Sequence, residues 1–83
     1  MQSSRVFSIV AYSLPRRERV SLVVYDIAGR KVRRLVDGIR EPGVHEAIWN
    51  GDNDLGREVS QGIYFYRLSA GDLTSTKKMV LLR

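Results

Sequence analysis

Apolar and polar residues alternate along most of this chain, and a period of two is the signature of extended strands. In "FSIVAYSLP", Phe7, Ile9 and Ala11 fall on one face and Ser8, Val10 and Tyr12 on the other, until Pro15 ends the run. "RVSLVVYDIAGR" continues the pattern, with Val20, Leu22 and Val24 set against Ser21, Val23 and Tyr25. Asp26 to Gly29 reads as a turn, because Asp bonds the backbone ahead of it and Gly29 takes a left-handed conformation without strain. "KVRRLV" is the return strand, so residues 19–36 are predicted to form a β-hairpin. Ile27, Lys31, Arg34 and Leu35 recur at helical spacing, but Gly29 and the β-branched residues before it oppose a helix there.

Asp37 to Gly43, with two Gly and one Pro, is predicted to be a loop. "VHEAIW" follows as a strand with His45, Ala47 and Trp49 on one face. After an acidic loop and a short piece at Glu58–Ser60, "GIYFYRLSAG" carries consecutive β-favouring residues from Ile63 to Tyr66. Ala70–Asp72 is a tight turn, and "LTSTKKMVLL" is the last strand. The rhythm is that of an all-β sandwich of about seven antiparallel strands. Ile9, Leu22, Val24, Trp49, Tyr64, Tyr66, Leu68 and Met79 are its predicted core.

A chain of 83 residues fits one core, assigned to residues 6–83, with residues 1–5 as a lead-in or a non-native start. The absence of cysteine removes disulfides and thiolate metal sites, and the single His45 leaves no partner for a histidine metal site or a Ser-His-Asp triad. The net charge of +5 comes from basic groups at Arg16, Arg17 and Arg19, at Arg30, Lys31, Arg33 and Arg34, and at Lys77, Lys78 and Arg83. Such charges keep a small domain soluble or favour an anionic surface. No recognition motif accompanies them, so nucleic acid is not expected as a partner. No apolar run approaches the roughly 20 residues of a transmembrane segment.

The acidic loop carries the one metal candidate. Asn50, Asp52 and Asp54 alternate as at the start of a calcium loop, but Leu55 and Gln61 stand where that loop needs Gly and Glu. A turn of Asx and Gly residues and an optional calcium site are both open readings. Trp49 with Tyr64 and Tyr66 reads either as core or as a platform for a cell-surface polysaccharide. The C-terminal Ser69, Thr74, Ser75 and Thr76 have no base beside them and form no nucleophile elbow, so no catalytic residue is assigned and no enzyme is expected.

Taken in order, several blocks resemble one family. They are Tyr12-Ser13-Leu14-Pro15; Val24-Tyr25-Asp26-Ile27-Ala28-Gly29-Arg30; Trp49-Asn50-Gly51 with Asp54 and Gly56; Gly62-Ile63-Tyr64-Phe65-Tyr66-Arg67-Leu68; and Lys77-Lys78-Met79-Val80-Leu81. They resemble the immunoglobulin-like domain of the flagellar hook-capping protein and its relatives, among them the C-terminal sorting domains of type IX secretion. The resemblance implies a non-catalytic module of an exported bacterial protein, at the outer-membrane surface or outside the cell. In the sorting branch, the secretion machinery would read Lys77, Lys78, Met79, Val80, Leu81, Leu82 and Arg83 and carry attached passenger domains outward. In the broader branch the domain would serve as an assembly or binding accessory. The Asn-Pro-rich lead-in of the family is missing from "MQSSRVF".

Overall fold

The computed structural model describes residues 8–83, so the lead-in at residues 1–5 and the placement of Phe7 lie outside the described residues. Six strands follow one another: β1 (Ser8–Leu14), β2 (Glu18–Asp26), β3 (Lys31–Arg40), β4 (Gly43–Trp49), β5 (Gly62–Ala70) and β6 (Leu73–Leu81). β1 and β4 pair as a small antiparallel sheet, and the other four form a sheet in the order β3-β2-β5-β6. Their inner faces meet in an immunoglobulin-like β-sandwich. The seventh strand expected near Glu58 is reduced to a single bridge between Asp52 and Glu58.

Two clusters make up the core. Val10, Tyr12, Leu14, Val20, Leu22, Val36, Ala47 and Ala70 pack together at one end, and Val24, Val32, Trp49, Tyr64 and Leu81 at the other. Leu35 and Tyr66 touch both clusters and join them. Of the predicted core, Leu22, Val24, Trp49 and Tyr64 are buried, while Tyr66, Leu68 and Met79 are half-buried against it. Ile9 is the exception at 54% exposed, and Val10 takes its place at 3%. The parity of β1 is set by its far end: turning Tyr12 and Leu14 inward buries more apolar area than burying Ala11 and Ser13. Ile9 then shares the outer face with its cross-strand partner Ile48.

β3 departs from the expected pattern twice. Asp37–Arg40 is not a loop: these residues pair with Glu18–Ser21 and lengthen the hairpin, aided by the Arg19–Asp37 ion pair at 3.0 Å. Gly38 is carried inside the strand, and only Glu41 and Pro42 remain between β3 and β4. The register with β2 also slips between Leu22 and Val23 and again between Val24 and Tyr25. Each slip leaves one β3 residue without a partner across the ladder, Leu35 at the first and Val32 at the second, and both pack on the core.

At the β5–β6 turn only Gly71 has a positive φ (+57°). A positive φ at the first of two loop residues is what a type II′ hairpin requires, and its twist suits the strands it joins.

Candidate functional site

The acidic loop lies between β4 and β5 and folds as a miniature hairpin. Val59 N–H donates to the Gly51 carbonyl at 3.0 Å and Asn53 N–H to the Arg57 carbonyl at 2.8 Å. The turn is closed by Gly56 N–H donating to the Asn53 carbonyl at 2.9 Å, and Asn53 Oδ1 accepts from the amides of Leu55 (2.9 Å) and Arg57 (3.1 Å).

The β2–β3 turn repeats this construction atom for atom. Asp26 Oδ1 accepts from Ala28 N–H (3.0 Å) and Arg30 N–H (2.9 Å), Gly29 N–H donates to the Asp26 carbonyl at 2.9 Å, and Asp26 N–H donates to the Arg30 carbonyl at 2.9 Å. Gly29 and Gly56 share nearly the same φ, +83° and +80°. The sequence signal is Asx-x-x-Gly-Arg at "DIAGR" and "NDLGR", short enough to pass unnoticed as a repeat. The two turns differ in one respect. Asp26 Oδ2 also accepts from Arg30 Nε at 2.9 Å, whereas Asn53 offers Arg57 no charge. The Arg30 amide, reinforced by its guanidinium and by the Ala28 amide, holds the Asp26 carboxyl below the usual carboxylate range, against an opposing push from burial.

Each acidic side chain of the loop has a partner within the fold. Asp52 Oδ2 accepts from Arg33 at 3.4 Å, and Arg33 also donates to the Asn53 carbonyl at 3.0 Å. Asp54 pairs its loop to β3 as a strand would: its amide donates to the Val32 carbonyl and its Oδ1 accepts from Arg34 N–H, both at 3.0 Å. Trp49 Nε1 donates to the Asp52 carbonyl at 2.8 Å, and Tyr64 OH to the Ser60 carbonyl at 2.6 Å. The carboxylates thus act as internal fasteners, and Asn50 stays exposed. Among the described residues, no three acidic or imidazole groups converge as metal ligands.

The aromatic residues proposed as a sugar platform turn inward instead. Trp49 is fully buried, with Tyr64 edge-on at 5.1 Å and Tyr66 half-buried beside it.

Of the C-terminal residues, Leu81 is buried and Met79 half-buried, while Lys77, Lys78, Val80 and Leu82 are exposed. Arg83 is a structural residue that strand patterning could not reveal. Its guanidinium donates to the Gly51 carbonyl, to the Val59 carbonyl (2.9 Å) and to Glu58 Oε2 (3.0 Å), clasping the end of β6 to the acidic loop. Gly51, at φ +72°, lies under this clasp, where an added Cβ would come within 2.8 Å of the guanidinium. Tyr25, Gly29 and Arg30 sit at the other turn, and Gly62 opens β5 at φ +152°.

The family model of the FlgD Ig-like domain matches residues 8–73, most of the chain. The chain belongs to that family. The match begins with β1 and runs to the first residue of β6. No curated protein and no solved structure gives a match. In this FlgD Ig-like domain, the residues that carried the resemblance are mainly those that build the fold. Asp26, Gly29 and Arg30 make one turn, Gly51, Asp54 and Gly56 shape the other, and Trp49 and Tyr64 fill the core between them.

Proposed function

We propose that this FlgD Ig-like domain is a non-catalytic structural accessory module, joined to or assembling with other domains of an exported bacterial protein. The family match carries the reading. The use of polar side chains supports it: Asp26, Asp52, Asn53, Asp54 and Arg83 are engaged in fastening turns and loops. A nucleophile or general base needs a side chain free to meet a substrate. A unit whose β2–β3 turn and β4–β5 loop are bonded internally suits a spacer or an assembly surface.

The finer reading, a sorting signal for type IX secretion, rests on the resemblance of the C-terminal residues. Against it, Leu81 and Arg83 have full structural employment. The two readings separate in one experiment. Residues 8–83 are fused to the C-terminus of a periplasmic reporter enzyme in a bacterium with a type IX system. An accessory module leaves the reporter in the periplasm. Reporter activity at the cell surface would overturn the accessory reading and establish sorting.

A further inference from the structure

The outer face of the four-stranded sheet carries a pattern that the fold does not need. Strand register places Lys31, Tyr25, Phe65 and Lys78 in one row across β3, β2, β5 and β6. The adjacent row holds Arg34, Val23, Arg67 and Thr76. Tyr25 and Phe65 are half-buried neighbours at the centre, and the Arg67 guanidinium lies 5.8 Å from the Tyr25 ring centroid. Lys31, Arg67 and Lys78 are exposed, and none forms an ion pair among the described residues. Beside the rings runs a shallow groove of about 340 Å³, where Asp26, Arg67 and Thr76 add polar groups. With strands about 4.8 Å apart, the row from Lys31 to Lys78 spans roughly 14 Å.

We infer that this face binds an acidic polysaccharide, with uronate-bearing sugar rings against Tyr25 and Phe65 and their carboxylates met by Lys31, Arg67 and Lys78. Charge complementarity selects an anion, since the chain carries +5 overall and its unpaired cations surround the aromatic pair. The polar groups select a sugar among anions. Thr76, with Ser21, Ser69 and Thr74 in the next row, offers donors and acceptors to hydroxyls. A nucleic-acid backbone needs a continuous basic track, and the next row, Asp37, Ser21, Ser69 and Thr74, does not continue one. A peptide that binds by strand addition does so at a free sheet edge. The backbones of β2 and β5 are already paired on both sides. A dry protein interface, in turn, has few charges at its centre.

The inference goes beyond the accessory reading and is tested without secretion or assembly, so the two can fail separately. Binding of the 83-residue chain to alginate oligosaccharides is measured by calorimetry at about 0.15 M salt, near physiological ionic strength. The variants are R67E/K78E, F65L, which keeps apolar bulk and removes the ring, and R16E/R17E, an equal charge change elsewhere. Melting temperatures check that each is folded. R67E/K78E and F65L are each expected to weaken binding about tenfold, with R16E/R17E close to the parent. Equal loss in R16E/R17E would reduce the effect to bulk charge and overturn the site. Absence of alginate binding would overturn it too, as would tighter binding of oligothymidylate or polyglutamate through the same residues.

Discussion

Replacing Gly51 by Ala tests the link between the acidic loop and the end of β6. The substitution has two separable costs. At φ +72° a Cβ brings about 1–2 kcal/mol of left-handed strain. That Cβ would also stand 2.8 Å from the Arg83 guanidinium and 3.2 and 3.3 Å from the two Leu81 δ-carbons, so the guanidinium has to leave. Its departure forfeits the bonds to Gly51, Val59 and Glu58. The Arg83 side chain is 27% exposed, so solvent replaces part of their strength, and the clasp contributes about 1–2 kcal/mol. G51A is therefore expected to destabilise by roughly 2–4 kcal/mol, and R83A by about 1–2 kcal/mol. In the double variant the clasp is lost only once, so the sum of the single effects exceeds the double by about 1–2 kcal/mol. Urea unfolding followed by the fluorescence of Trp49, the sole tryptophan, gives all three values. Additivity to within about 0.5 kcal/mol would refute the coupling and with it the clasp.

Three other outcomes follow from the two matching turns and the loop. Because the Asp26 carboxyl titrates lower in the folded chain than in the unfolded one, its stabilisation is complete above the ordinary carboxylate range and fades as pH falls through the depressed value. The melting-temperature gap between the parent and D26A should therefore narrow in acid, and a gap independent of pH would contradict the charge interaction. N53D gives Arg57 the acidic partner that Arg30 already has and should stabilise by about 0.2–1 kcal/mol, read as a rise in urea midpoint that salt diminishes. Millimolar calcium should leave the melting temperature unchanged, since Asp52 and Asp54 are engaged by Arg33 and the Arg34 amide; a rise reversed by chelator would reassign those oxygens.

Much of the fold was legible from alternation and turn chemistry. Val20, Leu22 and Val24 announced the inward face of β2, and "DIAG" announced its turn, because both effects are local. The parity of β1 was not local: Ile9 looked as apolar as Val10, and the decision was made at Tyr12 and Leu14. β3 obscured its own nature. Its buried residues are Val32 and Val36 with Leu35 half-buried, a spacing of three and one that imitates a helix. Two bulges produce that spacing, each adding to β3 one residue that has no partner on β2. Asp37–Arg40 was hidden by Gly38 and Pro42, residues that usually end strands but here sit within and just beyond one. At the candidate site, the sequence located the acidic loop but not its employment, since Arg33, Arg34 and Arg83 reach it from distant parts of the chain.

The bulges of β3 also bear on how the domain behaves among neighbours. A regular edge strand offers its free amides and carbonyls to any passing chain. β3 is an edge of its sheet, yet its ladder is interrupted at Val32 and Leu35, and Asp54 already occupies the Val32 carbonyl and the Arg34 amide. The opposite edge, β6, carries Lys77 and Lys78 side by side, so a second β6 would bring like charges together. One edge is closed by irregular geometry and a borrowed side chain, the other by electrostatic repulsion. A four-stranded sheet protected in these two ways can stand close to a copy of itself without the two joining into one.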